Sequence, residues 1–241
     1  MKIIYMVLLL TFSVILIFPT STANIFAQGE GSIPTHKTTA KFNTCFTTPS
    51  PKVNWSNCKT IFTDIHFADM TGANLSKMVA KKAIFYNVNL SGANLQNAVL
   101  TGANLAYSNL SGADLRGANL RYVDFYHTNL SGADLRGADI TGARFPGVNF
   151  ANANIAGVNL SHTNVSVANL QNANLYGTDL SQSDLRGSDF SGANLGSATL
   201  QNSDLTGSIL AGTNLKGANT IGVDTTGADI RCIGNSICRS G

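Results

Sequence analysis

The chain has few charged residues, and they are not clustered. Asp, Glu, Lys and Arg together make up 12% of the 241 residues, and the formal net charge is +3. A surface that binds nucleic acid needs a basic patch or stripe, whereas the lysines and arginines here are scattered. The balance is not acidic either. The composition therefore predicts no nucleic-acid partner.

Motifs for catalysis and for metal binding are also missing. The sequence has no nucleophile motif, no phosphate-binding loop and no paired general acid and base. Its four histidines, His36, His66, His127 and His162, lack the spacing of metal ligands. We therefore predict no catalytic residue, no metal site and no cofactor, and we do not expect an enzyme.

A strict period of five residues runs through most of the chain. Every fifth residue from Ile65 to Ile230 lies in one phase and is usually Leu or Phe; Asn or Asp precedes it, and a small residue stands two positions before it. An α-helix turns 100° per residue, so this period would point successive leucines in all directions. A strict internal repeat predicts a solenoid, here of about 34 pentads, and the pattern indicates no pocket.

Each pentad is predicted to contain a tight turn. Gly or Asn recurs two positions after the central residue, as at Gly92 and Asn97, and both tolerate positive φ. A turn that starts at the central residue and has such a residue third is of type II. Alternate residues of the extended part point the same way, so the small residue and the central residue should line the interior. The largest side chains expected at the small position are Val88, Val123, Val148, Val158 and Val223.

The unit Ala-(Asp/Asn)-Leu-x-x resembles the pentapeptide repeat family. It is clearest in residues 111–120, Ser-Gly-Ala-Asp-Leu-Arg-Gly-Ala-Asn-Leu, and about 70% of the chain follows it. The resemblance implies an all-β fold, a right-handed quadrilateral β-helix with four pentads in each of about eight coils. Coils stacked about 4.8 Å apart would give a length near 40 Å.

Four pentads per coil would place residues that are twenty positions apart on one face. This spacing predicts ion pairs that link Asp114 and Asp134 with Arg116 and Arg136, and a pair between Asp124 and Arg144, all on a solvated surface where such pairs add little stability. It also predicts a ladder of stacked amides. The ladder consists of Asn89, Asn109, Asn129, Asn149 and Asn169.

The first 27 residues have the pattern of a secretory signal. Lys2 is followed by an apolar run over residues 3–18 and by small residues that suit cleavage after Ala23 or Ala27. An uncleaved membrane anchor is the alternative, but the run is short for a span. After cleavage we expect no stable membrane insertion. The predicted division is a signal peptide at 1–27, an N-terminal segment and cap at 28–62, the solenoid at 63–230 and a C-terminal cap at 231–241.

The four cysteines flank the repeats and none lies inside them. Cys45 and Cys58 precede the solenoid, while Cys232 and Cys238 follow it. An even number in two local pairs, in an exported protein, predicts two disulfides that restrain the terminal coils. A metal site built from all four is disfavoured because the pairs belong to opposite ends.

One predicted face carries exposed aromatic side chains. They fall on pentads centred twenty residues apart, and aromatic residues are enriched at binding surfaces. The alternative is a stack that only shields the backbone or packs under the N-terminal segment. The strip consists of His66, Phe67, Tyr86, Tyr107, Tyr126 and His127.

Three functions compete as interpretations of this pattern. The first is a non-enzymatic structural or protein-interaction scaffold in an extracytoplasmic compartment such as the periplasm, the thylakoid lumen or the extracellular space, with an unidentified protein partner. The second, known for some members of the family, is a DNA mimic that binds DNA gyrase; the export signal and the positive net charge disfavour it. The third is an enzyme, for which no constellation argues. The family can also form homodimers through terminal coils, although a disulfide-closed end would hinder that route.

Overall fold

A computed structural model describes residue 45 and residues 47–60 and 63–238. The predicted signal peptide at 1–27 lies outside the described residues, as do the start of the N-terminal segment and His36.

Parallel backbone pairing between residues twenty positions apart builds this part of the chain. The pairs run from Asn54 with Asn74 to Asn214 with Ile233, and nearly all are single-residue bridges. Two short strands extend the pairing: β1 is Lys59–Thr60 and β2 is Val79–Ala80, parallel to it with Lys59 opposite Val79. Four pentads therefore complete one coil, and the described residues contain no helix.

The first coil starts inside the segment that the sequence assigns to the N-terminal cap. Asn54 already pairs with Asn74, and the amide of Trp55 donates to the Asn74 carbonyl at 2.8 Å. Trp55 is buried and takes the place of a central leucine. Its indole N–H donates to the hydroxyl of Thr47 at 3.0 Å, which ties the preceding segment to this coil.

The predicted type II turn closes each corner. In the pentad centred at Leu90, the amide of Ala93 donates to the Leu90 carbonyl at 3.0 Å, and Gly92 has a φ of 63°. The Asn or Asp before the central residue adds a second bond. For example, Oδ1 of Asn89 accepts from the amide of Ser91 at 3.2 Å. This short side-chain bond to the backbone explains why the repeat favours Asn or Asp there.

The central and small residues of the pentads form one continuous core, as the alternation predicts. The largest fully buried side chains include Phe85, Phe125 and Phe145. The rings of Phe125 and Phe145, one coil apart, stack with centroids 4.9 Å apart and an interplanar angle of 8°. Burying this apolar surface is the main favourable contribution to folding.

The small position of the pentad accepts a larger side chain than the sequence predicts. The valines were expected to be its largest occupants, but Met78 is larger and is buried there. The central residue of the same pentad is Ala80, so a long side chain and a short one have exchanged places and the interior volume is kept. The expected upper size of a side chain at the small position was therefore wrong. The packing constrains the combined volume of the two inward side chains of a pentad, and not the volume at each position.

Amide ladders run along two faces. On one, Nδ2 of Asn109 donates to Oδ1 of Asn89 at 3.3 Å, and equivalent bonds continue through Asn129 to Asn149. The side-chain bonds thus follow the predicted ladder as far as Asn149, and at its N-terminal end the ladder extends to Asp69, which accepts from Asn89 at 3.2 Å. A second ladder was not predicted. It consists of Asn154, Asn174, Asn194 and Asn214.

Both predicted disulfides are present. The Cα atoms of Cys45 and Cys58 are 5.5 Å apart, those of Cys232 and Cys238 are 5.0 Å apart, and no described cysteine is free. Each bond closes a short loop beside a terminal coil.

The last coil ends with a shift of register. Ile233 pairs with Asn214, one residue earlier than the spacing of twenty would give. Nδ2 of Asn235 then donates to the Ala218 carbonyl at 2.9 Å, and its Oδ1 accepts from the Thr220 hydroxyl at 2.9 Å. Asn235 therefore satisfies backbone and side-chain groups that a further coil would otherwise cover.

Candidate functional site

The six aromatic residues predicted to form a strip lie together along one edge of the coil. This edge separates the first face, whose pentads are centred at Ile65, Phe85, Leu105 and Phe125, from the second face, which carries the Asn89 ladder. The members stand one or two positions after those central residues, where the chain turns the corner. We call His66, Phe67, Tyr86, Tyr107, Tyr126 and His127 the aromatic strip.

Ring contacts connect the aromatic strip from end to end. The Phe67 and Tyr86 centroids are 6.2 Å apart, Tyr86 and Tyr107 are 5.5 Å apart, and Tyr107 and Tyr126 are 5.5 Å apart, all edge to face. His127 stacks on Tyr107 at 5.7 Å. Edge-to-face pairs at these distances are favourable, so the rings hold one another in place.

The corners under part of the strip carry bulky residues on the left-handed backbone that every described corner has. Phe67, Tyr107 and His127 have φ values of 54°, 61° and 50°, in the left-handed region that favours Gly and Asn. Phe67 is nonetheless 73% exposed and contributes nothing to the core. Bulky residues at such positions cost free energy, and such outliers cluster at functional sites.

Val167 continues the same column and was missed by the sequence analysis. It is 71% exposed with a φ of 55°, although a β-branched residue is strongly disfavoured there. Between it and His127 lies Gly147, where a Cβ would come within 2.6 Å of the His127 ring. The signal was available: Val167 stands where the repeat almost always has Gly, Asn or another polar residue.

A shallow depression opens between Phe67 and Tyr107. Its volume is about 460 Å³, and Asn87 forms its floor because this coil has no ring in the column. Asp69 lies at its side; its Oδ1 accepts from the Thr71 amide at 3.0 Å and hydroxyl at 2.6 Å. The complete lining is Phe67, Ala68, Asp69, Asn87, Val88, Asn89, Tyr107 and Asn109.

Two groups at the depression have perturbed pKa values. Hydrogen bonds from the hydroxyl and amide of Thr71 lower the pKa of Asp69, so its carboxylate is charged at neutral pH. Desolvation raises the pKa of Tyr107, with smaller contributions from Tyr126 and Tyr86, so its phenol stays neutral. The depression therefore combines neutral aromatic rings with one negative charge.

The charged residues elsewhere pair locally. Nη2 of Arg116 lies 2.6 Å from Oδ2 of Asp114, and Arg136 binds Asp134 in the same way at 2.6 Å. The sequence predicted this interleaving. It also predicted an Asp124–Arg144 ion pair. The two backbones do pair in register, but no ion pair joins these side chains in the described part of the chain. That prediction was wrong; Asp124 accepts from the amide of Tyr126 at 3.1 Å.

One exposed aromatic residue outside the strip provides a useful comparison. Tyr122 has a φ of 58°, is 60% exposed and lies on a different edge. Its ring covers Gly142 and has the Arg121 guanidinium 5.8 Å above it. Tyr122 therefore has intramolecular partners of a different kind and belongs to no ring stack.

Within the described ranges, no three His, Cys, Asp or Glu side chains form a group that could hold a metal ion. The same residues contain no apolar helix that is long enough to span a membrane.

The solenoid and its edge surface define a repeat protein of the β-helix class, and comparison with known proteins identifies the family. The family model described as "Pentapeptide repeats" matches eight copies that together cover residues 83–224. The chain belongs to the pentapeptide repeat family, and its fold is the right-handed quadrilateral β-helix. No curated protein sequence matches the chain significantly.

Several solved structures are similar to the chain. A pentapeptide repeat protein from the thylakoid lumen of Arabidopsis thaliana is 28% identical over 39% of this chain and 67% of its own, with a TM-score of 0.39. HetL is involved in heterocyst differentiation regulation in the cyanobacterium Nostoc sp. strain PCC 7120. It is 28% identical over 77% of this chain and 89% of its own, with a TM-score of 0.36. QnrB1, a plasmid-mediated fluoroquinolone resistance protein, is 22% identical over 71% of this chain and 91% of its own, with a TM-score of 0.41.

Proposed function

We propose that the protein is a non-enzymatic interaction scaffold in an extracytoplasmic compartment and that it docks a protein partner through the aromatic strip. One observation carries the proposal: Phe67, Tyr107 and His127 hold exposed rings on left-handed backbone. Folding alone would favour Gly or Asn at these positions, as elsewhere in the repeat.

The alternative explanation, a stack that only shields the backbone, accounts poorly for this feature. The turn at Asn87, in the same column, carries no ring of its own and still donates its amide to the Ala106 carbonyl at 3.0 Å. The backbone bond therefore forms without an aromatic side chain at the turn. A solenoid also presents its side chains on a rigid frame, which lowers the entropic cost of binding.

The extracytoplasmic location is supported by the disulfides and by the composition of residues 1–27. Disulfides persist in oxidising compartments and are rare in the cytosol of mesophiles. Cell fractionation with intact-mass measurement tests this part. We expect a chain shortened by 23 or 27 residues and lighter by four hydrogens than its reduced form. A full-length, reduced protein in the cytoplasm would refute the location.

Photo-crosslinking tests the docking surface. A benzoylphenylalanine placed at Tyr107 should capture a partner in the native compartment, and the same group at Tyr122 is the matched control because it is also exposed on left-handed backbone. In a second arm, Phe67→Asn and Tyr107→Asn together should reduce affinity capture, whereas Tyr122→Asn should not. If the double variant and the Tyr122→Asn control captured equal amounts of partner, the aromatic strip would be excluded as the interface.

Gyrase binding by DNA mimicry remains the alternative and is disfavoured. The chain has 16 basic and 13 acidic residues, whereas imitation of duplex DNA needs a dense array of negative charge. A homodimer through a terminal coil is a further prediction, which analytical ultracentrifugation of the oxidised protein would test. The Asn235 cap argues against the C-terminal coil as its interface.

A further inference from the structure

The charge around the aromatic strip has one sign. On the first and second faces of the four coils that carry the strip, the sequence contains three aspartates and no lysine or arginine. The other two faces of the same coils carry six lysines and arginines. The segments of the strip side are residues 63–72, 83–92, 103–112 and 123–132.

Asp69 is the aspartate that borders the depression, and its bonding is incomplete. Its Oδ1 accepts from Thr71 and Asn89. Its Oδ2 has no hydrogen-bond donor among the residues that the structure describes. A partly used carboxylate beside neutral rings is a site of negative potential.

Elsewhere in the chain an arginine usually completes such a carboxylate, and at Asp189 a glutamine does so. At equivalent positions, Arg116 binds Asp114 through Nε at 2.9 Å and Nη2 at 2.6 Å, and Arg186 binds Asp184 at 2.8 Å and 2.7 Å. In those pentads the residue two positions after the aspartate is arginine. After Asp69 it is Thr71, so the guanidinium is missing.

The gap between the two rings is wide enough to admit the same group. Phe67 and Tyr107 are two coils apart along one edge, or about 9.6 Å at the usual strand spacing. A planar group in contact with both rings needs about 7–8 Å, twice the normal contact distance, so a guanidinium enters this gap and stacks on one ring at a time. A guanidinium is planar, stacks on aromatic faces and binds a carboxylate in a bidentate manner.

We propose that the depression between Phe67 and Tyr107 receives an arginine side chain from a basic segment of the partner, with Asp69 as its counter-ion. This inference rests on the proposed docking function of the aromatic strip and names the chemistry of the partner. Asn87 and Asn109 line the floor and side, and they can accept or donate hydrogen bonds to the backbone of the incoming segment.

A titration with two matched peptides tests the inference on the intact, oxidised protein. The probes are fluorescein-labelled Gly-Arg-Gly-Arg-Gly and the same peptide with citrulline, which keeps the shape of arginine and removes its charge. We expect the arginine peptide to bind about tenfold more tightly or better, and its binding to weaken with salt. Equal binding of the two peptides, or no binding of the arginine peptide, would overturn the inference.

Single variants locate the site. Asp69→Asn should abolish the preference for arginine, and the fold should tolerate it because Asn89 and Asn109 occupy the same column. Asp189→Asn is the matched control: it lies on the same column but far from the strip, and its Oδ2 already accepts from Gln171 at 2.5 Å. Unchanged arginine preference in Asp69→Asn would contradict the proposal.

The two proposals fail differently. If Tyr107→Asn prevents capture of the native partner but Asp69→Asn does not, the aromatic strip is the interface and arginine recognition is wrong. If neither variant changes capture, both proposals are wrong.

Discussion

Ser188 and Ser208 occupy equivalent positions in adjacent coils, but only Ser188 uses its hydroxyl. Oγ of Ser188 donates to the Val165 carbonyl at 2.8 Å and accepts from the Ala168 amide at 3.1 Å. Oγ of Ser208 is buried without a partner in the described structure. The Leu185 carbonyl, which is equivalent to that of Val165, accepts from the Ser188 amide at 3.2 Å.

Ser208→Ala should therefore stabilise the protein or leave it unchanged. Removing an unsatisfied buried hydroxyl relieves a desolvation cost of about 1–3 kcal/mol. Ser188→Ala should destabilise it by about 1 kcal/mol or more, because an amide and a carbonyl lose their bridge. Urea unfolding followed by circular dichroism measures the free energy of unfolding of both variants. A larger loss of stability in Ser208→Ala than in Ser188→Ala would contradict the difference in bonding.

Leu135→Ala should destabilise the solenoid by about 2–5 kcal/mol, the usual cost of removing a buried leucine. Leu135 is fully buried in the core. The measurement is the change in urea midpoint and slope. An unchanged midpoint would mean that the central residue of the pentad does not support the core.

Val167→Asn should raise stability by about 1 kcal/mol, since it relieves a β-branched residue from left-handed backbone. Ile221→Asn is the control, because Ile221 is similarly exposed but is absent from the residues with positive φ. We expect little change there. Equal effects of the two substitutions would show that exposure, and not backbone strain, determines the outcome.

Acid should weaken the fold partly through Asp184. The hydrogen bond from the Arg186 guanidinium is the largest cause that lowers the pKa of Asp184, and the Arg186 amide adds to it. Because the folded pKa lies below the unfolded value, this contribution is complete above about pH 4 and is lost as the pH falls through the folded pKa. In unfolding experiments from pH 7 to pH 2.5, the stability difference between wild type and Asp184→Asn should narrow below about pH 4. A difference that stays constant would refute the linkage.

The architecture was predictable because the period of five leaves few alternatives. The inward direction of Leu and Phe, the type II corners and both disulfides follow from residue types at fixed spacing. The six members of the aromatic strip could be grouped because residues twenty apart share a face. The repeat pattern does not specify side-chain conformations or how large and small residues share one pentad. For this reason the exchange of Met78 and Ala80, the unused Oδ2 of Asp69 and the missing Asp124–Arg144 pair were not predicted.

The left-handed conformation of the strip was predictable in part. The repeat places Gly or Asn at that position, so Phe67, Tyr107 and Val167 were visible as departures from it. The free-energy cost of these departures could be inferred only from the backbone angles, because an exposed ring on backbone with negative φ would destabilise the fold little.

The twenty-residue register also constrains how the gene can change in length. Duplication or loss of a whole coil outside residues 63–132 leaves every later side chain on its original face. An insertion of one pentad between Phe67 and Tyr107 would move Tyr107 to a different edge by a quarter turn, and an inserted coil would widen the gap between the two rings. Selection on a partner would thus oppose any length change between these two residues, while changes of twenty residues outside the stretch would leave the aromatic strip intact.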